Sequence, residues 1–260
     1  MSALRGISFG AGVQSTALLL MALDGEVEAD FAIFADTQDE PVRVYEHLWQ
    51  MADLCAAVGF PLYVVSAGRL SDEARRPGSF ISVPVFGLNE QGGEAQLRRQ
   101  CSYQFKLRPM RSFVKDHLLA KGQRWECLIG ISTNELHRAK PSGRKWVENT
   151  YPLLIDKRMS RLDCERYCRE RGIHPPRSAC VFCPFRKDDE WRDLTPAEFE
   201  QACDFDDALR VSGGHGGRYG DGLFVHDSMV PLRQVDFSTV EDKGQGSLFE
   251  RGDCMGLCGV

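Results

Sequence analysis

Apolar residues along the chain alternate between two periods, short continuous runs and longer segments with helical spacing. Arg5 to Phe9 reads as a short buried strand. A glycine-bearing turn follows it, and Thr16 to Leu23 reads as a helix. Asp30 to Ala35 predicts a second strand, Val42 to Val58 a helix and Pro61 to Val65 a third strand. Ser71 to Glu94, rich in Gly, Ser and Pro, predicts an irregular loop beside an active site. Leu107 to Ala120 predicts a helix, Trp125 to Ile131 a fourth strand, and Thr150 to Pro152 the lead-in to a final strand. Strands alternating with helices imply parallel βαβ units, so the expected fold is α/β with a doubly wound parallel sheet. From Ser160 the pattern changes. Short helices (Leu162 to Arg171, Pro196 to Arg210) surround a cysteine-bearing loop, and Gly213 to Gly222 leads to a tail. The expected division is a nucleotide-binding domain over 1–158 and a cysteine-rich helical lobe with its tail over 159–260.

Composition adds few constraints: 43% hydrophobic and 27% charged residues over 260 positions are ordinary for a globular chain. No apolar stretch is long enough to span a bilayer. Arg5, several glycines, Gln14 and Ser15 interrupt the first apolar stretch, so no signal peptide is expected and the location should be the cytoplasm. That compartment keeps thiols reduced, and the ten cysteines need another explanation than a disulfide framework. Cys55 and Cys127 lie in apolar runs and read as core residues, as by default do Cys164, Cys168 and Cys203 on predicted helices. The net charge of −5 argues against nucleic acid, but its distribution does not. Ala95 to Arg177 carries roughly 19 Lys/Arg against 8 Asp/Glu, the footprint of a surface that meets a polyanion, or of solvated helices.

The turn after the first strand, Ser8-Phe9-Gly10-Ala11-Gly12-Val13-Gln14-Ser15-Thr16, carries the first candidate chemistry. Small residues let backbone N–H groups approach an anion, the helix N-terminus adds positive potential, and Ser15 and Thr16 add hydroxyls. The turn has neither the Gly-Lys-Ser/Thr of a Walker A loop nor the G-x-G-x-x-G spacing, and a plain tight turn is the alternative reading. Asp36 and Thr37 lie just past a strand's carboxyl end, where open α/β sheets bind ligands; a helix cap is the alternative reading of Asp36. Lys106 and Arg138 suit a polyphosphate, and Glu135, three positions before Arg138, would pair with it across a helical turn.

This turn resembles the pyrophosphatase loop of the adenine nucleotide alpha hydrolases. Phe34-Ala35-Asp36-Thr37-Gln38 is similar to the Asp-Thr-Gly motif of phosphoadenosine phosphosulfate reductases. Cys101-Ser102-Tyr103-Gln104-Phe105-Lys106, the run Gly130 to Arg138, Cys180-Val181-Phe182-Cys183-Pro184-Phe185 and the ending Cys254-x-x-x-Cys258-Gly-Val complete the set. Together they resemble the reductase-like ATP pyrophosphatases of phages, actinobacteria and DNA phosphorothioation systems. The resemblance implies ATP and Mg²⁺ bound by Ser8, Gly10, Gly12, Gln14, Ser15, Thr16, Asp36, Thr37 and Gly130. Asp36, Lys106, Arg138, Cys254 and Cys258 would act in catalysis. One departure stands out: Gln14 occupies a position that usually carries Asp, and Gln cannot hold a metal ion as a carboxylate does.

Cys180-x-x-Cys183 lies on a proline-bounded loop, and Cys101 could add a third sulfur. By similarity to iron–sulfur tRNA thiolation enzymes, Cys101, Cys180 and Cys183 would hold a [4Fe–4S] cluster with one open iron. A Cys₄ zinc (Zn²⁺) knot of Cys180, Cys183, Cys254 and Cys258 is the alternative. Cys254 and Cys258 could also be a persulfide or redox pair on the tail, or one of them a fourth cluster ligand. The implied function is ATP-dependent sulfur insertion into nucleic acid (DNA phosphorothioation or RNA thiolation) through an adenylated intermediate with pyrophosphate release. The expected partners are a nucleic acid substrate and a cysteine desulfurase or other sulfur donor; a homodimer is admitted and a membrane is not. The alternatives are a sulfonucleotide reductase, or a nucleotide-binding subunit of a modification complex that does not turn ATP over.

Overall fold

The computed structural model describes residues 3–76, 80–89, 91–211 and 222–238. In chain order the elements are β1 (Leu4–Phe9), α1 (Val13–Leu23), β2 (Phe31–Asp36), α2 (Val42–Ala57), β3 (Leu62–Ser66), α3 (Asp72–Arg75), β4 (Phe86–Leu88) and β5 (Glu94–Gln96). A helical rod follows, in which wide π-type turns at Ser102–Leu107 and Val114–Leu118 flank α4 (Arg108–Phe113). Next come β6 (Trp125–Ile129), a 3₁₀ turn (Thr133–Arg138), β7 (Val147–Thr150), α5 (Pro152–Ile155) and α6 (Arg161–Arg169). The chain continues through α7 (Asp188–Arg192), α8 (Pro196–Val211), β8 (Leu223–Phe224) and a short 3₁₀ turn (Leu232–Gln234). It divides into two compact units, Met1–Leu70 with Cys101–Cys180, and Ser71–Gln100 with Val181–Val260.

The first unit is α/β. Its five-stranded sheet has the order β3-β2-β1-β6-β7, and every pairing is parallel. Side chains alternate along each strand, and both faces are apolar as parallel sheets require. Ile7, Phe9, Ala32, Phe34 and Leu128 pack under α1, α2 and α6. Phe31, Ile33, Ala35, Trp125 and Cys127 pack on the opposite face against Met110 and Val114 of the rod. Helix α1 is apolar almost all round because it lies between the sheet and other helices; α6 packs on it, and Cys168 Sγ lies 3.9 Å from the Val13 carbonyl. Ser160 and Asp163 start α6 with a reciprocal capping box, Ser160 Oγ accepting from the Asp163 N–H at 3.2 Å. The last strand is β7, and Pro152 opens α5 rather than leading into a strand, since proline suits the first turn of a helix but not a central ladder.

The second unit holds a small antiparallel sheet, β5-β4-β8, and the helices α3, α7 and α8. Ser71 to Glu94, expected as an irregular loop, therefore contributes a helix and a strand to this unit. Phe182 and Phe205 stack at 3.8 Å in its interior. Buried Asp206 ties α8 to the following chain: Oδ1 accepts from Val225 N at 2.8 Å, and Oδ2 from Leu232 N at 2.9 Å and from Arg210 at 2.8 Å. Thr195 and Glu198 cap α8 reciprocally. Among the described residues no helix is long and apolar enough to cross a membrane.

Candidate active site

The candidate site lies in the first unit, at the carboxyl ends of β1, β2 and β6. The connection through α1 carries the chain from β1 towards β2 and β3, and the chain then returns to β6 on the other side of β1. The order therefore reverses between β1 and β6, and open α/β sheets bind ligands in the crevice at such a reversal. The two sides of the crevice approach closely. A Cβ on Gly130, just past β6, would stand 2.8 Å from the Gln14 carbonyl carbon and from the Ser15 nitrogen. Only glycine fits there.

The β1–α1 turn has the form of an anion cradle. Ala11 adopts a left-handed conformation (φ 57°), which strains a residue with a Cβ. The turn directs the N–H groups of Gly10 and Gly12 at one oxygen, Ser15 Oγ, each at 3.2 Å. Ser15 Oγ in turn donates to the Gly12 carbonyl at 3.0 Å. A phosphate oxygen is a stronger acceptor than this hydroxyl, and the start of α1 adds its dipole. Gln38, just past β2, is also left-handed (φ 61°), so two strained non-glycine residues follow two adjacent strands of the sheet.

Ser8 is half-buried, and its hydroxyl points across the sheet to Met110 Sδ at 3.8 Å. Thr16 is fully buried, and its hydroxyl meets His47 Nε2 at 2.8 Å. Its bond is therefore made inside the fold and not at the cradle. Burial holds the His47 pKa below the ordinary histidine value. Asp36 Oδ1 accepts from Gln38 N at 2.7 Å and Tyr45 Oη at 2.8 Å, which organises the turn after β2. Burial and the Asp36 carboxylate both raise the Tyr45 pKa, so the phenol remains a donor. Gln14 Nε2 donates to Glu135 Oε2 at 3.0 Å, and Glu135 Oε1 accepts from Arg138 Nη1 across the 3₁₀ turn.

A second cluster forms around Glu40, which sequence reasoning passed over. Its side chain is fully buried; Oε1 accepts from Lys106 Nζ at 3.0 Å and from Thr37 Oγ1 at 3.2 Å. Burial works against the Lys106 ammonium. Glu40 at contact distance, with Cys180 and Cys101 in electrostatic range, outweighs it and raises the pKa above the usual lysine value. The available sequence signal was position: Glu40 is an acidic residue just beyond β2, where open sheets place ligand-binding carboxylates.

Cys101 and Cys180 thus belong to the Lys106 cluster in the first unit, and Cys183 lies at the start of the second. Among the described residues no three His, Cys, Asp or Glu side chains form a ready-made metal cage. Cys254 and Cys258 lie outside the described residues. Cys55, Cys127, Cys164, Cys168 and Cys203 are buried, and burial pushes their thiols up to between about 11 and 12, so they are inert packing residues. In the basic segment, Lys140, Arg144 and Lys145 are exposed on the connection to β7 and form no ion pair among the described residues. That connection is held rigidly, the Lys140 N–H and the Asn149 amide bonding Tyr151 Oη and the Lys140 carbonyl, each at 2.9 Å. No protein-family model matches the chain, and no curated protein matches it.

Proposed function

We propose that the chain is an ATP pyrophosphatase and sulfurtransferase that binds ATP at the β1–α1 turn and inserts sulfur into a nucleic acid. The observation that carries the nucleotide reading is the convergence of the Gly10 and Gly12 N–H groups on one oxygen at the strand-order reversal. In the reaction, a substrate oxygen attacks the α-phosphorus and pyrophosphate leaves; a sulfur nucleophile then displaces AMP. The chain's residues position and neutralise. Arg138, fixed by Glu135, and Lys106, fixed by Glu40, supply positive charge for a polyphosphate. Asp36 keeps Oδ2 without a bond among the described residues, available to a donor on the nucleotide.

The sulfur reading rests on Cys101 and Cys180, both within electrostatic range of the Lys106 ammonium. Those two sulfurs, with Cys183 three positions beyond Cys180 in the sequence, are the thiolates proposed for a [4Fe–4S] cluster, with Zn²⁺ as the alternative. Bound by three cysteines, such a cluster would supply an open iron at which sulfide can be carried. Exposed Lys140, Arg144 and Lys145 favour a polyanionic substrate over a small sulfonucleotide. The test combines three measurements on anaerobically purified protein: ATP binding by calorimetry, pyrophosphate release, and iron content. Replacing Ser15 with a bulky residue should abolish ATP binding, and a variant that binds ATP normally would show the cradle to be misassigned. ATP binding without pyrophosphate release in the presence of nucleic acid would favour the non-catalytic subunit. One equivalent of zinc without iron would make the cysteine site structural.

A further inference from the structure

The phosphate cradle contains no carboxylate: from Ser8 to Thr16 every side chain is neutral. A magnesium ion bound to ATP is usually anchored by one or two protein carboxylates together with the phosphates. The fold brings one carboxylate to this place from the far side of the crevice. Glu135, in the 3₁₀ turn after β6, lies 3.0 Å from the Gln14 side-chain nitrogen in the first turn of α1. A carboxylate only accepts hydrogen bonds, so the orientation of the Gln14 amide is fixed, with the nitrogen towards Glu135. The close approach of Gly130 to the Gln14 and Ser15 backbone holds the two sides together. Arg138 takes the other oxygen. Two oxygens offer about four lone-pair positions, so two donors leave room for a metal. The Glu135 side chain is 24% exposed and thus open to solvent, whereas Gln14 is buried.

We infer that Glu135 is the protein ligand for the Mg²⁺ ion carried by ATP at this turn, and that Gln14 is the residue that positions it. This inference rests on the ATP reading. It also gives a physical reason for the amide at Gln14. An acid at that position would set two negative charges about 3 Å apart and expel one of them, while a neutral donor fixes a single carboxylate. One carboxylate is too little to retain Mg²⁺ by itself, so the metal enters with the nucleotide.

Calorimetry on the full chain would measure ATP affinity in excess Mg²⁺ and in EDTA, for the wild type, Glu135→Gln and Gln14→Met. The wild type should bind ATP more tightly with Mg²⁺, by about tenfold or more. Glu135→Gln should remove most of that ratio, and the ratio rather than the EDTA affinity is the readout because Glu135 also fixes Arg138. Gln14→Met, which keeps the length but not the donor, should lose part of the ratio. Electron paramagnetic resonance with Mn²⁺ provides a second readout. Mn²⁺ should be immobilised by the wild type only when ATP is present, and Glu135→Gln should release it. A full Mg²⁺ ratio in a folded Glu135→Gln variant overturns the inference, as does a wild type that binds ATP without any Mg²⁺ dependence. Those results leave the ATP reading standing. A wild type that binds no ATP in either buffer removes the ATP reading itself.

Discussion

Replacing Gly130 with alanine tests the close approach on which the site depends. The added methyl would stand 2.8 Å from the Gln14 carbonyl carbon and the Ser15 nitrogen and 2.9 Å from Ser15 Cα. These are backbone atoms that cannot rotate away, and relief to a normal carbon–carbon contact needs a shift of roughly 0.7 Å or more. The shift must be taken by β6 or by the start of α1, both of which are packed in the parallel sheet's core. Overpacking of this kind costs about 1–3 kcal/mol. For a unit of this size that lowers the melting temperature by roughly 2–12 °C. Far-UV circular dichroism during heating measures the change, and ATP affinity should fall with it because Gln14 and Ser15 move. Gly12→Ala is the control. Its methyl would meet Ser178 Cβ at 3.5 Å and Ser178 N at 3.9 Å, which is ordinary contact, so its melting temperature should stay near that of the wild type. A Gly130→Ala protein as stable as the wild type would refute the close approach of the two sides of the crevice.

Lys106→Met should destabilise the protein by roughly 3 kcal/mol, at the lower end for a broken buried pair because Lys106 is one-third exposed and Glu40 is not. Adding Glu40→Gln should recover much of that loss in urea unfolding, and a double variant no better than Lys106→Met would contradict the pairing. His47 has a folded-state pKa below its unfolded value of about 6.5, so the stability it contributes is complete above that pH and is lost as pH falls towards the folded value. His47→Gln should reduce the acid slope of the urea midpoint, and an unchanged slope would mean that His47 does not titrate in this way. Neutralising Lys140, Arg144 and Lys145 together should reduce the log–log salt slope of nucleic acid binding by up to about 3, measured by fluorescence anisotropy. An equal slope would move the nucleic acid surface elsewhere.

What the sequence revealed of this molecule was local. Short apolar runs marked β1, β2 and β3, and helical readings marked α1 and α2, within a few residues, because the burial of each of those elements is recorded in its own composition. The pairing of Glu135 with Arg138 was legible for the same reason, a spacing of three. The small sheet was not legible. Its strands are two or three residues long, and β4 pairs with β8 across more than a hundred intervening residues. Burial in such strands comes from distant partners rather than from a repeat along the chain. The rod around α4 begins earlier than its apolar period suggested, with π-type turns that carry Lys106 towards Glu40. His47 shows another limit: it shares the buried face of α2 with Val44, Leu48, Met51 and Cys55, where Thr16 and Gln50 supply hydrogen bonds to a polar side chain.

The site itself is assembled from contacts of long sequence separation. Gln14 and Glu135 are 121 residues apart, and Glu40 and Lys106 are 66 apart. Each pair joins a residue just beyond one strand or at the start of the helix that follows to a residue from another segment, as a strand-order reversal requires, because the loops on its two sides leave in opposite directions. The neutral Gln14 in the loop therefore does not by itself decide whether a carboxylate can reach the β1–α1 turn. A carboxylate reaching over from the neighbouring strand's loop meets the same electrostatic need, provided that a neutral donor receives it. Gln14 is such a donor. The same logic applies at Glu40, where a buried acid without Lys106 would be unstable and Lys106 without the acid would lose its fixed position beside Cys101 and Cys180. Both arrangements place charge at the crevice through a partner on another segment, so the two charges depend on the fold being closed. Unfolding either side of the crevice would remove Glu135, the proposed cation ligand, and the ammonium beside the cysteines together.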